Sequence, residues 1–169
     1  GYNDYKELFG KVDAVSIAAP TKLHYKIAAD FLKHKIHALV EKPFTANLKE
    51  ADKLITLAQK NKLILAVGHI ERFNSAFSAT RKLISRPKFI ECHRLSPFPN
   101  RSLDVGAVLD IMIHDIDIVL GLVDSEVKKV EAVGIPVLTP SEDIANSRIT
   151  FENGCVANLT ASRVSDEVM

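Results

Sequence analysis

A parallel α/β sheet followed by an α+β unit with an open, mostly antiparallel sheet is the fold class that three observations predict. Up to about residue 70, short apolar runs alternate with helical apolar stripes, which is the pattern of βαβ units. Beyond it the extended runs follow one another, with Asn153-Gly154 between the last two as a strong hairpin signal. Hydrophobic residues make up 47% of the 169 and charged residues 25%, enough apolar content for a substantial core and far above that of a disordered chain.

The chain opens on a short helical stretch, Tyr2 to Phe9. The run Val12 to Ala19 predicts a strand buried on both faces, ended by Pro20. Thr21 is placed as the N-cap of a helix reaching Lys33, whose stripe is Leu23, Ile27, Ala28, Phe31 and Leu32. Ile36 to Val40 is a second strand, running into Glu41-Lys42-Pro43. Asn47 caps the next helix, with Ala51, Leu54, Ile55 and Ala58 as its stripe. Leu63 to Val67 is the third strand, closed by Gly68, and the crossovers are expected to be right-handed.

After Gly68 the pattern changes. Asn74 to Ile84 reads as a helix with Phe77, Thr80, Leu83 and Ile84 on one side, and Lys88 to Leu95 as a strand. Ser96 to Ser102 is a loop, and Leu103 to Leu122 a long helix, apolar on nearly all sides. Val127 to Leu138, Ala145 to Glu152 and Cys155 to Arg163 read as strands. The expected domains are residues 1–70 and 71–169.

The charge balance excludes some functions. With 22 basic and 21 acidic residues the net charge is +1, and no basic stripe points to nucleic acid or an anionic membrane surface. The apolar runs are too short and too broken by charges for a spanning helix. The polar start lacks the apolar region of a signal peptide, and Cys92 and Cys155 are too few and too far apart for a disulfide framework or a zinc site. Two reduced thiols in a cytoplasmic protein are expected.

Candidate chemistry lies at the strand ends, because ligands of open α/β sheets bind beyond the carboxyl ends of the strands. Three such ends are Ala18 to Thr21, Val40 to Pro43 and Val67 to Arg72. Lys42 follows an apolar strand directly and precedes a proline. Near a cleft its amine can donate to a substrate hydroxyl or lose its proton when desolvated; on position alone it is equally a solvated surface lysine. The long helix carries Asp110, His114, Asp115 and Asp117 in an apolar setting. Asp110 and His114 are four apart on one face, with Asp117 on or next to it. Buried carboxylates are costly unless paired, and an Asp beside a His makes a base. The alternatives are a structural Asp–His pair and a metal site, for which no third ligand is placed. His69, Glu71, Arg72 and Asn74 either bind substrate or close the domain junction. His24 is a cofactor contact or a helix-surface histidine, and His34, His37 and His93 read as structural or solvated.

Ala19-Pro20-Thr21 with His24, then Glu41-Lys42-Pro43, then Gly106, Asp110, His114 and Asp117 at spacings of four, four and three resemble the glucose–fructose oxidoreductase/inositol dehydrogenase/rhizopine-catabolism (Gfo/Idh/MocA) family. The resemblance implies the C-terminal part of a Rossmann-type parallel sheet followed by the family's α+β domain. It implies NAD or NADP and a small-molecule sugar or nucleotide-sugar substrate. It implies Lys42, Asp110 and His114 as catalytic residues and Ala19, Pro20, Thr21, Leu23, His24, Glu41, Lys42 and Arg72 along the cofactor. Lys42, Asn74, Asp110 and His114 would meet the substrate, with no metal, and the family implies a homo-oligomer. The loop Gly68 to Asn74 resembles the bacterial UDP-N-acetylglucosamine 3-dehydrogenase branch. Relative to the family pattern the first strand, glycine turn and second strand are absent, and no G-x-G-x-x-G occurs. A piece of a longer chain is therefore expected, with weak cofactor affinity and no activity alone. The competing readings are a non-catalytic binding or assembly module that keeps the second domain's sheet, and a metal-dependent lyase or hydrolase using Asp110 and His114.

Overall fold

Residues 1–68 build a three-stranded parallel sheet in the order β1-β2-β3, made of β1 (Ala14–Ile17), β2 (His37–Glu41) and β3 (Leu65–Gly68). The computed structural model describes residues 1–98 and 104–166, and the chain divides into two units, Gly1–Gly68 and His69–Met169.

In the first unit, α1 (Thr21–Lys33) and α2 (Leu48–Asn61) connect consecutive parallel strands and pack on each other. Ala28, Phe31 and Leu32 of α1 recur at helical spacing and meet Leu54 and Ala58 of α2 over Ile17, Ala38 and Val40 of the sheet. Leu32, Val40 and Leu54 are fully buried, each contributing roughly 1.5–3 kcal/mol relative to exposure. The Asn47 side chain accepts from Glu50 N–H and caps α2 as expected. Thr21 is not the cap of α1: it is the first helical residue, and Pro20 precedes it without a side-chain cap. The opening stretch is a single 3-10 turn, Tyr5–Leu8, with Asp4 and Glu7 forming a capping box. The Tyr5 hydroxyl is pushed up to about 12 by burial and by its hydrogen bond to Asp30.

The expectation of a strand buried on both faces is corrected. Val15 and Ile17 turn toward the helices, whereas Ala14 and Ser16 are exposed, and on β2 Leu39 stays 40% exposed between buried Ala38 and Val40. Both helices pack together and so cover the same side of the sheet, which leaves the other side open. Ile55, assigned to the α2 stripe, is exposed for the same reason: it points away from the Leu54–Ala58 line.

The second unit carries a four-stranded sheet in the order β4-β7-β6-β5, from β4 (Phe89–Leu95), β5 (Val127–Ile135), β6 (Ile144–Phe151) and β7 (Val156–Ser162). β5, β6 and β7 pair antiparallel, and β4 lies parallel to β7. Ala145, Ile149, Phe151, Ala157, Leu159 and Ala161 alternate onto one face and pack against Met112, Val119 and Val123. The β6–β7 hairpin falls at Asn153-Gly154, where Gly154 takes φ +83° and the Asn153 side chain accepts from Cys155 N–H. Cys155 is buried and Cys92 half-buried, both free, and burial raises both thiols above the ordinary value, which keeps them unreactive.

Two helices differ from expectation. The one read over 74–84 is only α3 (Ser75–Arg81), and Leu83, at 84% exposure, and Ile84 lie outside it with no core beneath them. The long helix consists of a π-helical turn, Val108–Met112, leading into α4 (Ile113–Leu122). Part of its side is open, with Leu120 exposed and Ile113 and Ile116 half-buried, so it is not enclosed all round. Residues 99–102 of the expected loop and Leu103 of the expected helix lie outside the described residues. Among the described residues no helix is long and apolar enough to cross a membrane.

Candidate active site

In the first unit the carboxyl ends of all three strands bring together most of the residues singled out above. Ala19 is half-buried at the exit of β1, Pro20 is exposed, Thr21 is buried, and Leu23 is 39% exposed on the first turn of α1. His24 is 1% exposed and is a junction rather than a surface histidine. Its Nε2 lies 2.7 Å from the Ala19 carbonyl and its Nδ1 2.9 Å from the Pro43 carbonyl. One imidazole therefore ties the turn after β1 to the turn after β2. Glu41 closes β2 and is paired in register with Gly68 of β3. A Cβ at Gly68 would stand 2.9 Å from Glu41 Oε2, so the glycine makes room for this carboxylate. Lys42 follows, half-buried, and its peptide bond to Pro43 is cis. With the two carbonyls engaged by His24, the Glu41 carboxylate and the Lys42 amine are the polar groups this edge offers, chemistry suited to the hydroxyls of a nucleotide.

In the second unit the buried acids are resolved into pairs. Asp110 is 8% exposed in the π-helical turn, and His114 is half-buried one turn later on α4. A wider turn places them at a different angle from the regular helical one that a spacing of four implies. Asp115 accepts from Arg94 of β4, Nε and Nη2 both reaching Oδ1, the latter at 2.7 Å. Asp117 accepts from Arg72, Nε to Oδ2 at 2.7 Å and Nη2 to Oδ1 at 2.5 Å. His69 Nδ1 is shielded from solvent without a hydrogen bond, 3.9 Å from Asp117 Oδ1. Burial works against the charge of Asp117, but the Arg72 hydrogen bonds and the charges of His69, Arg72 and His114 outweigh it and hold the carboxyl below the usual carboxylate range. The same hydrogen bond raises the Arg72 guanidinium. Asn74 caps α3, its Oδ1 accepting from Ala76 N–H at 3.0 Å and its amide donating to Glu71.

Sequence reasoning missed the cations that answer these acids, Arg72 for Asp117 and Arg94 for Asp115. The signal was available, since acids in an apolar helix demand partners, but the partner's position is set by pairing of β4 and the turn 70–73, not by spacing. It also missed a buried pair, Arg163 with Asp143, both 0% exposed with Nε to Oδ1 at 2.8 Å. His34 and His37 have local jobs: His34 stacks on Phe9, and His37 Nδ1 accepts from Ile64 N–H. Among the described residues no three His, Cys, Asp or Glu side chains are grouped as metal ligands.

Residues 1–69 match the oxidoreductase family model described as the NAD-binding Rossmann fold, and residues 66–168 match the GFO/IDH/MocA C-terminal domain. The chain belongs to the Gfo/Idh/MocA oxidoreductase family. The family match agrees with both halves of the expected fold class, and the parallel first sheet and mixed second sheet recur in solved relatives. A UDP-N-acetylglucosamine 3-dehydrogenase of Acidithiobacillus ferrooxidans is 45% identical over 95% of this chain and 51% of its own length. A crystal structure of that organism's UDP-N-acetylglucosamine 3-dehydrogenase superposes with a TM-score of 0.91 at 43% identity, over 99% of this chain and 56% of that one. The myo-inositol 2-dehydrogenase of Thermotoga maritima is 30% identical over 96% of this chain and 54% of its own length. The chain spans about half the length of the curated relatives it matches.

Proposed function

We propose that this Gfo/Idh/MocA chain serves an NAD- or NADP-dependent dehydrogenase acting at a hydroxyl-bearing carbon of a sugar, with a nucleotide-sugar as the substrate class. Residues 1–70 serve the dinucleotide, and residues 71–169 serve the substrate and the contacts between subunits. The nucleotide-sugar reading is supported by the similarity to the UDP-N-acetylglucosamine 3-dehydrogenase over nearly the whole chain. The observation that carries the reading is the carboxyl edge of the parallel sheet, where the His24 ring lies between the Ala19 carbonyl after β1 and the Pro43 carbonyl after Glu41-Lys42.

This edge fits a nicotinamide dinucleotide. The first turn of α1 has no side-chain cap, although Leu23 N–H is taken by the Pro20 carbonyl, and the Glu41 carboxylate fills the space beside Gly68, where it can accept from a sugar ring's hydroxyls. Bound nicotinamide supplies the hydride-accepting carbon. His114 takes the substrate hydroxyl proton as general base, and Lys42 serves as a hydrogen-bond donor to the substrate that can share a proton. Asp110 orients His114 and stabilises its cation. Arg72 keeps Asp117 ionised, and that carboxylate lies within electrostatic reach of His69 and His114.

The test is Lys42→Met in the full-length protein, assayed by NADH or NADPH formation with UDP-N-acetylglucosamine. Turnover should fall by about 10²–10⁴-fold, the usual worth of a proton-transfer group, with far-UV circular dichroism unchanged. Turnover equal to the parent would remove Lys42 from the mechanism. Full-length parent protein that produces no reduced nicotinamide with any nucleotide-sugar, and shows no quenching of NADH fluorescence, would sink the dehydrogenase reading. The second sheet supports a role in joining copies into a homo-oligomer, because β5 is exposed along its length with Val130, Val133 and Ile135 each more than half open. Light scattering that finds only monomer at high concentration would exclude that role.

A further inference from the structure

Two residues from outside the helix, Glu142 and Arg163, converge on its entry. Ala107 N–H donates to the Glu142 carbonyl at 2.8 Å, and Val108 N–H donates to Glu142 Oε1 at 3.2 Å. The fully buried Arg163 donates from Nη1 to the Val105 carbonyl at 2.8 Å. Arg163 is itself held: Nε donates to Asp143 Oδ1 at 2.8 Å and Nη2 to Thr139 Oγ1 at 2.9 Å. Asp143 in turn accepts at Oδ2 from the N–H groups of Val137, Leu138 and Thr139 at 2.8, 2.7 and 2.9 Å. The loop that follows β5, the start of β6 and the end of β7 thus meet residues 105–108. Gly106 is part of the same arrangement, because the Glu142 carboxylate occupies the place a Cβ would take.

The first half of α4, just past the turn, is anchored as well. Asp115 is held by Arg94 and Asp117 by Arg72. The π-helical turn Val108–Met112 lies between these two sets of anchors. A π turn holds one residue more than an α turn, and left to itself a helix reverts to the narrower form by slipping one residue. Such a slip rotates everything before the turn relative to everything after it, and Asp110 lies in the turn with His114 just beyond.

We propose that Glu142, Asp143 and Arg163 are positioning residues that pin the 105–108 entry and thereby hold the π-helical register in which Asp110 and His114 are set. This rests on the reading that Asp110 and His114 act on the substrate. Glu142 is the residue to vary, since it is only half-buried and the Arg163–Asp143 pair remains when it is changed. Glu142→Ala and Glu142→Gln are compared with the parent by amide hydrogen exchange and by the ring-carbon NMR titration of His114. In Glu142→Ala, exchange at Val108 should quicken about five-fold, the worth of a lost cap, while Ala157 and Leu159 in β7 exchange at the parent rate. The His114 titration midpoint should move, and kcat should fall about 10- to 100-fold with KM unchanged, as a small misplacement of a reacting group does. Glu142→Gln, which keeps an acceptor for Val108 N–H, should restore all of these. An unchanged Val108 exchange rate and His114 midpoint in Glu142→Ala overturns the proposal, as does faster exchange shared equally by β7. With the variants made in the full-length protein, changed exchange and titration with no dehydrogenase activity at all support the positioning role and count against the dehydrogenase reading instead.

Discussion

Arg72 grips Asp117 with both arms of its guanidinium, Nε on one carboxylate oxygen and Nη2 on the other. The carboxylate side chain is 9% exposed while the arginine is 58% exposed, so the pair is wet on one side and dry on the other.

Removing the arginine should make the protein sensitive to acid. Asp117 is depressed in the folded state, so its stabilisation is full above the unfolded carboxylate value and is lost as pH falls through the lower folded one. In Arg72→Ala burial is left to dominate and Asp117 rises. The variant should lose about 1 kcal/mol at neutral pH, a charged hydrogen bond discounted for solvent screening, and its acid unfolding midpoint should move to higher pH. Urea melts at neutral pH and an acid titration followed by circular dichroism measure both. An acid midpoint at the parent pH would show that Asp117 keeps its charge without Arg72.

Gly106→Ala should be costly only while Glu142 is present. The new methyl displaces the Glu142 carboxylate from Val108 N–H, losing about 1 kcal/mol of hydrogen bonding. In Glu142→Ala that bond is already gone, so the glycine change should then cost only a few tenths. The double variant should therefore be about 1 kcal/mol more stable than the sum of the single losses predicts. Simple additivity in denaturant melts would refute the contact.

Gly68→Ala should act through Glu41. A methyl 2.9 Å from the Glu41 carboxylate forces that side chain to move off the sheet edge. The backbone at Gly68 is ordinary extended strand, so stability should change little, while affinity for NADH measured by fluorescence should drop. Equal affinity would show that Glu41 takes no part in holding the dinucleotide.

His24→Ala should loosen the whole carboxyl edge. One carbonyl loses its hydrogen bond and a second its close neighbour in a site that is 1% exposed, at a cost of roughly 1–2 kcal/mol. Amide exchange at Ala19, Thr21 and Phe44 should rise more than at Ala38 in the middle of β2. Uniform change across the sheet would place the role of His24 in the core alone.

Much of this architecture was legible in the residues. Leu54 and Ala58, Phe31 and Leu32, and the alternation Ala157, Leu159, Ala161 follow from helix and strand periods alone, and Asn47 and Asn153-Gly154 carry their own geometry. Thr21 was not, because a threonine and a proline at a helix start compete for the same position and proline takes the place before the first turn. Leu83 and Ile84 mimic a continuing stripe, yet a period shows only that a face could be buried, not that anything lies against it.

The residue pattern by itself determined the order of strands and helices and the edge on which Ala19, His24, Glu41 and Lys42 gather, because each is a matter of local period and of strand ends; the family came from the spacing of the motif residues. Tertiary structure alone decided which cation answers which acid: Arg72 for Asp117, Arg94 for Asp115, Arg163 for Asp143. It alone decided that the turn holding Asp110 is π-helical. Those partners are brought from 20 to 45 residues away by strand pairing and loop paths. A carboxylate in an apolar helix announces that it needs a positive charge, but only the folded chain determines where that charge comes from.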